Sequence, residues 1–459
     1  MNRIKNFSDL VSNAEGSERK AREIMLKLIE SAIETVDGKK SVISAISFGD
    51  DVLSIEDLGL EVPIKGRVLV VGTGKASGKM AEGIETLLLD RIHAGCVNVL
   101  EGTEKLFDLK KVKTFPAGHP IPNRNTIEGT RNIVELVREL DSSDVVIALI
   151  SGGGSALMEM PMPGITLEDL NRATKLLLEC GARIQEINSV RKHISQVKGG
   201  RLARLCYPAT VVSLIISDVI GDPLDSIASG PTAPDTTTFQ DAWDVLEKYD
   251  LIDIMPESII KTIKKGINGE IQDTPKPGDP IFERVHNFIV ANNERALNAA
   301  ANMANSLNLK TLVLGSFIEG EARHVGQALA GIAQGIKHQN IPISPPAAVL
   351  AGGETTVRVV GTGRGGRNQE VVLGSVEKIA DERGLCIASV GTDGVDGVTD
   401  AAGAIADGRT FSRALSLGLK PASFLNRNDS YAFFQALNDL IFTGPTLTNV
   451  MDIMGAVIL

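Results

Sequence analysis

The sequence predicts an α/β protein in which a Rossmann-like N-terminal domain with a parallel sheet is followed by a smaller α/β C-terminal domain. Short runs of valine, isoleucine and leucine alternate with stretches whose apolar residues recur at helical spacing. Continuous apolar strands separated by helices are typical of a parallel sheet that is covered on both faces. The 459 residues suffice for two or three domains of ordinary size.

The first half of the chain shows this alternation most clearly. A helix is predicted over residues 20–36, with Gly38 placed to end it. A βαβαβ pattern then runs through strands at 68–71, 97–100 and 145–150 and helices at 76–89 and 125–140. Thr166 and Asp169 form a predicted capping box for a helix that ends near Cys180, and residues 211–216 are a further candidate strand.

The domain boundary is predicted in the segment 272–280, which carries three prolines and no apolar residue. Such a segment continues neither a helix nor a central strand. We therefore expect an N-terminal domain of residues 1–275, a C-terminal domain of residues 281–459 and a candidate hinge between them. Beyond the prolines the alternation restarts, with strands at 288–291, 311–314 and 347–350 and helices from Glu294 and Glu321.

Composition excludes several classes of protein. The 47 basic and 57 acidic residues give a net charge of −10 at pH 7, so there is no general basic field for a nucleic acid backbone. The apolar runs are far shorter than the ~18 residues that span a bilayer, and the first residues lack the apolar core of a secretory signal. We expect a cytoplasmic protein without nucleic acid or membrane partners, and a homo-oligomer is compatible with the sequence. The four widely spaced cysteines predict small core residues rather than a zinc site or disulfides.

A glycine-rich loop directly follows the strand at 68–71. Its spacing is not that of a nucleotide P-loop, because five residues rather than four separate Gly72 from Gly78, and a methionine follows the Gly-Lys pair. Together with Gly74, these glycines form a loose dinucleotide fingerprint. The alternative is a tight turn between a strand and a helix.

A second loop, SGGGS from Ser151 to Ser155, follows the strand at 145–150. Three glycines let backbone N–H groups approach an anion, and two hydroxyls add donors. Because ligands of open α/β sheets bind at the carboxyl ends of strands, this loop predicts an anion site.

Basic residues and a carboxylate follow. Arg191, Lys192 and Lys198 lie close together in the sequence, and Asp218 comes after the next strand. A basic patch beside a carboxylate is what a phosphate and its Mg²⁺ need, although a solvated helix face is an equal alternative for Arg191 and Lys192. We expect His193 to be structural, since no second histidine or carboxylate has ligand spacing with it.

The C-terminal half also contains glycine-rich loops that carry or precede charged residues. Glu354 follows a glycine pair after the strand at 347–350, and Arg367 and Asn368 follow a loop with four glycines. Arginine on so permissive a backbone offers planar, permanently charged donors to an anion. Asp393 belongs to a GTDGVDG segment that lacks the spacing of an EF-hand, and an ordinary Asp-Gly turn is the alternative.

Together these motifs resemble those of the class II glycerate kinases, the family that ends in a MOFRL domain. The resemblance is carried, in family order, by VGTGKASGKM, GHPIPN, SGGGSAL, RKHISQVKGGRLA, SDVIGDPLDSIASGPT, AGGETTV, GRGGRNQE and GTDGVDG. It implies a MOFRL-type region at about 345–455 and an active site in the cleft between two domains. It also implies ATP- and Mg²⁺-dependent phosphorylation of D-glycerate, generally at the 2-hydroxyl. Members have often been labelled hydroxypyruvate reductases, so an NAD(P)-dependent reductase is the second hypothesis and a sugar-phosphate-binding module the third.

The resemblance implies roles for individual residues. It makes Lys75, Asp218 and Arg367 the catalytic set, and Asp218 and Asp393 the carboxylates for Mg²⁺. The residues expected to bind nucleotide or substrate are Gly72, Gly74, Ser151, Gly152, Gly153, Gly154, Ser155, Lys198, Glu354, Asn368 and Asp393. Phosphoryl transfer needs mainly in-line positioning and neutralisation of oxygens, which lysine, arginine, carboxylates and glycine-rich backbone supply. Hydride transfer would leave the arginine-glycine loop and GTDGVDG unexplained.

Overall fold

The computed structural model describes residues 3–459, which form two compact units. The first unit is Gly38–Val290, and the second is Ala291–Leu459 together with the N-terminal segment up to Asp37. The α-helices in chain order are α1 (Phe7–Ser12), α2 (Gly16–Thr35), α3 (Gly38–Ala45), α4 (Ser77–Leu88), α5 (Arg124–Leu136), α6 (Gly154–Leu157), α7 (Leu167–Glu179), α8 (Ile184–His193), α9 (Arg201–Cys206), α10 (Phe239–Lys248), α11 (Glu257–Ile267), α12 (Asn293–Ser306), α13 (Ala322–Gln339), α14 (Arg367–Ser375), α15 (Thr410–Ser416), α16 (Pro421–Arg427) and α17 (Ser430–Leu437). The strands are β1 (Ser47–Gly49), β2 (Val52–Ile55), β3 (Leu60–Pro63), β4 (Val68–Thr73), β5 (Ile92–Leu100), β6 (Val112–Ala117), β7 (Val145–Ser151), β8 (Thr210–Ile216), β9 (Val285–Ala291), β10 (Lys310–Val313), β11 (Ala347–Gly353), β12 (Leu385–Gly391), β13 (Gly403–Asp407), β14 (Leu440–Ile441) and β15 (Asp452–Ile458).

The first unit is built on a six-stranded sheet with the order β6-β5-β4-β7-β8-β9. Numbered along the chain within this sheet, the order is 3-2-1-4-5-6, the order of the doubly wound α/β fold. The pairings of β4 with β5 and β7, of β5 with β6 and of β7 with β8 are all parallel. Every residue of β4 and β7 is buried, as expected for central strands with both faces covered. The predicted Rossmann-like sheet is therefore confirmed.

The capping residues also predicted the start of α7 correctly. The Thr166 hydroxyl accepts from the Asp169 N–H (3.1 Å), and the Asp169 carboxylate accepts from the Thr166 N–H (3.2 Å), which is the predicted capping box at the start of α7. The antiparallel sheet of β1, β2 and β3 was not predicted. Its strands have only three or four residues, so they carry little periodic signal.

The second unit contains a mixed sheet with the order β10-β11-β15-β12-β13-β14. Strands β10 and β11 pair in parallel, whereas β15 lies antiparallel to both of its neighbours, β11 and β12. The C-terminal strand is thus inserted into the middle of the sheet, and all of its residues are buried. The α/β class of this unit was predicted correctly, but the antiparallel central strand was not.

The N-terminal segment corrects the expected domain of residues 1–275. Arg22 of α2 has no exposed surface, and its guanidinium bonds to Asp407 (2.5 Å) and Asp439 (2.7 Å), both buried carboxylates of the second unit. The Leu10 carbonyl accepts a further bond from Arg22 (3.3 Å). Burying these charges without their partners would be very costly, so the chain up to Asp37 folds with the C-terminal half.

The proline segment corrects the expected boundary and hinge. The Thr274 hydroxyl donates to Asp235 (3.0 Å), the Asp235 N–H donates to the Pro275 carbonyl (2.9 Å), and the His193 ring bonds to Asp273 (2.9 Å). These bonds fix the segment to the first unit. The boundary falls instead between Val290 and Ala291, because β9 completes the first sheet. His193 is structural, as expected.

Three of the four cysteines lie in the core, as their wide spacing in the sequence predicts. Cys96, Cys206 and Cys386 are buried and Cys180 is half-buried, and all four are free thiols. Burial raises the pKa of Cys96 and Cys206 to about 12. In residues 3–459, no helix combines the length and the apolar character needed to cross a bilayer.

An ion pair at the amino-terminal end of the first sheet gives a stability prediction. Asp144 accepts bonds from the Arg67 side chain (2.6 Å) and from the Arg67 N–H (2.8 Å), and chiefly the side-chain bond lowers the pKa of Asp144 to about 2. This stabilisation is complete above the unfolded-state pKa near 4 and is lost as pH falls towards 2. Asp144→Asn should lower the free energy of unfolding by about 1 to 2 kcal/mol at pH 7, after allowance for solvent around Arg67.

Urea unfolding at a series of pH values measures this difference. The exposed Asp253 provides the control, since Asp253→Asn should change stability by less than about 0.5 kcal/mol. The difference between Asp144→Asn and the parent protein should shrink steadily below pH 4. A difference that stayed constant between pH 7 and pH 2.5 would contradict the ion-pair interpretation.

Candidate active site

The strand order of the first sheet determines where a ligand can bind. Strands β4 and β7 are neighbours, and the chain leaves them in opposite directions towards β5 and β8. The carboxyl ends of two such strands border the crevice where open α/β sheets bind ligands. The two glycine-rich loops singled out in the sequence lie at these two ends.

The two loops interlock. The Lys75 N–H donates to the Gly152 carbonyl (2.9 Å), and the Ala76 N–H donates to the Ser151 hydroxyl (3.0 Å). Gly74 has a φ of 117° and lies so close to Ser151 that any side chain would overlap it. The loops therefore form one rigid structure, in which Gly74 serves close packing.

The SGGGS loop presents backbone donors. In the described residues 3–459, the N–H groups of Gly153, Gly154 and Ser155 have no hydrogen-bond acceptor. Gly153 has a φ of 79°, which turns the chain into α6. Successive N–H groups around a left-handed residue form a concave site for an anion.

Three polar side chains lie beside this loop. A Cβ on Gly152 would overlap the Asp218 carboxylate, and one on Gly153 would lie 3.1 Å from His119 Cδ2 and 3.5 Å from Lys75 Cγ. Lys75 and Asp218, predicted from positions more than 140 residues apart in the sequence, thus lie around one glycine pair. His119 belongs to the GHPIPN motif, but it was not among the predicted site residues.

Lys198 lies inside the fold. Its ammonium has no exposed surface and donates to the Met158 carbonyl (2.9 Å) and to Glu159 Oε2 (2.5 Å). Burial lowers the pKa of Lys198, while Glu159 opposes this effect. The ammonium is thus already bonded to the segment that follows the SGGGS loop, rather than available at its surface.

In the second unit, Arg367 opens α14 and is held on three sides. Its Nε and Nη2 donate to Asp452 Oδ2 (2.7 Å) and Oδ1 (3.0 Å), and its Nη1 donates to Glu354 Oε1 (2.5 Å). Asp452 has no exposed surface, whereas the Arg367 side chain is 34% exposed. Although burial opposes it, the Asp452 carboxylate raises the pKa of Arg367. Buried Asp452 therefore holds the guanidinium in place, while part of the Arg367 side chain stays exposed to solvent.

The sheet explains why these residues meet. Asp452 begins β15 and is paired with Gly353 at the end of β11 and with Gly391 at the end of β12. Glu354 and Asp393 follow those two glycines closely in the chain. The start of one antiparallel strand and the ends of its two neighbours therefore supply the residues around Arg367.

Asn368 and Asp393 complete this group. Asn368 Nδ2 donates to Asp452 (2.9 Å), and its Oδ1 accepts from Ser389 (2.5 Å). A Cβ on Gly391 would lie 3.3 Å from Asp393 Oδ1 and 3.5 Å from Asn368 Nδ2. Sequence reasoning assigned Arg367, Asn368, Glu354 and Asp393 to the same predicted active site as Lys75 and Asp218, and the structure places these four close to one another in the second unit.

Two buried carboxylates support the group, and neither was predicted. Asp396 accepts from the N–H groups of Asn368 (3.0 Å) and Gln369 (2.9 Å) at the start of α14. Burial raises the pKa of Asp396 to about 6 and that of Asp452 to about 7, although the arginine and the hydrogen bonds oppose it. The only sequence signal for Asp452 was an aspartate at the start of an apolar run. Asp396 lies within GTDGVDG, the segment from which only Asp393 was predicted as a site residue.

Comparisons with known proteins agree on one family. Residues 24–264 match the "Domain of unknown function (DUF4147)", and residues 347–452 match the "MOFRL family". A glycerate 2-kinase from Pyrococcus horikoshii is 43% identical, with 95% of this chain and 97% of the relative covered. A D-glycerate 2-kinase from Thermotoga maritima is 41% identical, with 84% and 90% covered.

A solved structure supports the same grouping. The crystal structure of glycerate kinase from Thermotoga maritima superposes with a TM-score of 0.85 at 38% identity, and covers 95% of this chain and 99% of that one. A relative from Agrobacterium vitis, 38% identical with 95% of this chain and 94% of the relative covered, bears the name hydroxypyruvate reductase only provisionally.

Proposed function

The chain belongs to the glycerate kinase family that ends in a MOFRL domain, and on that premise we propose that it transfers the γ-phosphoryl group of MgATP to the 2-hydroxyl of D-glycerate. The products are 2-phospho-D-glycerate and ADP. The relatives from Pyrococcus horikoshii and Thermotoga maritima are named glycerate 2-kinase and D-glycerate 2-kinase.

The observation that carries the proposal is the anion site at the SGGGS loop. Three adjacent N–H groups without acceptors in the described residues lie beside Lys75 and Asp218. Backbone N–H groups and a lysine neutralise phosphoryl oxygens, and they need no rearrangement when charge develops on those oxygens. We assign Gly153, Gly154 and Ser155 to phosphate binding.

Arg367 supplies a second group of donors. Asp452 and Glu354 fix its guanidinium, so little side-chain entropy is lost when it binds an anion. We assign it the stabilisation of charge on the transferring phosphoryl group. Glu354 orients it directly, and Asn368 acts on it through Asp452.

Mg²⁺ enters with ATP as part of the substrate. Residues 3–459 contain no cluster of three or more histidine, cysteine, aspartate or glutamate side chains arranged to hold a metal. Mg²⁺ in kinase sites is commonly held by one or two carboxylates together with substrate phosphates and water. We propose Asp218, in the first unit, and Asp393, in the second, as separate candidates for that contact, and an indirect role for Lys198 through Glu159.

The reductase hypothesis fits the first loop less well. A dinucleotide pyrophosphate binds to N–H groups where the first strand runs into its helix. Here the N–H groups of Lys75 and Ala76 are already bonded to Gly152 and Ser151. Gly72 serves the packing of β4 against Leu149 and Val97 of the neighbouring strands, and Gly74 serves the packing between the two loops.

A product assay tests the proposed function. The protein is incubated with MgATP and D-glycerate, and separately with NAD(P)H and hydroxypyruvate. We expect ADP formation that depends on D-glycerate, and a ³¹P NMR signal of 2-phosphoglycerate rather than 3-phosphoglycerate. Oxidation of NAD(P)H without ADP formation would establish the reductase instead.

A further inference from the structure

Three consecutive basic residues end α8, and they differ in how they are bonded. Lys192 pairs with Asp235 (3.2 Å) and Asp225 (3.3 Å), and His193 bonds to Asp273 (2.9 Å). Arg191 is half-buried and forms no hydrogen bond or ion pair with the described residues 3–459. Two of the three basic residues thus have hydrogen-bonded partners, and one does not.

The carboxylate near Arg191 is already bonded elsewhere. Glu159 Oε2 accepts from Lys198 (2.5 Å), and its Oε1 accepts from the Met160 N–H (2.9 Å). Burial lowers the pKa of Arg191, and Glu159 opposes the effect. A half-buried guanidinium without a hydrogen-bonded partner keeps its paired donors available to an anionic ligand.

Asn188 connects Arg191 to the anion site. The two residues are three apart on α8, so their side chains are neighbours on its surface. Asn188 Oδ1 accepts from the Ser229 hydroxyl (3.4 Å), which in turn bonds to the Ser155 hydroxyl (2.8 Å). Asn188 Nδ2 has no acceptor in residues 3–459.

The backbone at Ser229 is strained. Ala228 and Ser229 have φ values of 51° and 61°, in the left-handed region that is unfavourable for non-glycine residues. Ala228 also packs closely against Gly154. The strain keeps the Ser229 hydroxyl between Ser155 and Asn188, and such strain is typical of binding sites.

We propose that Arg191, with Asn188 beside it, binds the carboxylate of the 2-hydroxy acid that accepts the phosphoryl group. This inference rests on the proposed kinase function. Arginine matches the two oxygens of a carboxylate with parallel donors, and the amide N–H groups of Asn188 and the serine hydroxyls suit a neighbouring hydroxyl. The site therefore selects small hydroxy carboxylates over uncharged polyols.

Kinetics with the two substrates varied separately test the assignment. Arg191→Gln should raise KM for D-glycerate by about 10- to 100-fold and change KM for ATP by less than about twofold. Arg191→Lys keeps the charge without the paired donors, so its KM should lie between those of the parent protein and Arg191→Gln. Arg183→Gln, at an exposed position just before α8, is the matched control and should behave as the parent protein.

A substrate without the carboxylate tests its contact with Arg191 separately from the other contacts. D-glyceramide carries a neutral amide in its place, so the ratio of kcat/KM for D-glycerate to that for D-glyceramide should fall at least tenfold in Arg191→Gln. Thermal unfolding with D-glycerate alone, without ATP, gives a binding readout independent of turnover and checks that each variant is folded. The increase in Tm caused by D-glycerate should be lost in Arg191→Gln.

The outcomes separate this inference from the proposed function. The carboxylate assignment would be overturned if the parent protein is active and Arg191→Gln has the same ratio of kcat/KM for D-glycerate to kcat/KM for D-glyceramide. A rise in KM for ATP alone would overturn it too and would assign Arg191 to a phosphate. A parent protein that forms no ADP with D-glycerate would refute the kinase proposal, whereas the effect of D-glycerate on Tm would still test its binding by Arg191.

Discussion

Replacing Lys75 with alanine should lower kcat for D-glycerate phosphorylation by about 10²- to 10³-fold while the protein stays folded. The Lys75 N–H is bonded to Gly152, and its Cγ lies beside Gly153, so the side chain extends from the rim of the anion site. In the proposed reaction its ammonium neutralises charge that grows on phosphoryl oxygens during transfer. Because this interaction is stronger in the transition state than in the ground state, kcat should fall more than either KM rises.

Lys79 provides a matched control for this variant. It lies four residues later on α4, where it pairs with Glu82 (2.8 Å) and lies 6.0 Å from the centre of the Phe107 ring. Lys79→Ala should keep kcat within about twofold of the parent value. Near-normal kcat in Lys75→Ala, or an equal loss in Lys79→Ala, would reassign Lys75 to a solvated turn.

Loss of the Arg367 guanidinium should have an effect of similar size on kcat, about 10²- to 10³-fold. Arg367→Lys is the informative variant, because it keeps a positive charge near buried Asp452 and so protects the fold. Lysine cannot donate to both Asp452 oxygens and to Glu354 in the geometry of the guanidinium. Stopped-time assays of ADP formation, with circular dichroism to verify folding, measure the loss.

Asp452 should act through Arg367, and a double-mutant cycle can show it. Asp452→Asn removes the charge that orients the guanidinium, so kcat should fall about tenfold or more on its own. In the Arg367→Lys background the same substitution should cost much less, because the orientation of the guanidinium is already lost. A purely structural aspartate would reduce stability and give the same factor in both backgrounds.

Arg364 controls for a general effect of removing positive charge from the glycine-rich loop. It lies over the Tyr431 ring, 4.5 Å from its centre, and its side chain is 54% exposed. Arg364→Ala should change kcat by less than about threefold. Equal losses in the Arg364 and Arg367 variants would show that the charge of the loop matters rather than the fixed guanidinium.

Strands and helix ends that are recognisable from a few consecutive residues were predictable from the sequence. Strands β4, β7 and β8 are continuous apolar runs, and the capping box of Thr166 and Asp169 satisfies its own N–H groups within four residues. In a parallel sheet the carboxyl ends of strands share one edge, so the loops at Lys75 and SGGGS could be expected to meet. Much of the first unit's site follows from that rule.

The sequence by itself determined the α/β class, the residues at the ends of the strands and the chemistry that they can perform. Only the tertiary structure decided that β15 enters the second sheet between β11 and β12, that α2 folds with the C-terminal half, and that the proline segment is fixed to the first unit. The placement of β15 is what brings Asp452 beside Arg367. The physical reason is that apolar periodicity records which residues are buried but not against which partner. Strand direction and buried charge pairs such as Arg22 with Asp407, 385 residues apart, are set by contacts that the local sequence does not encode.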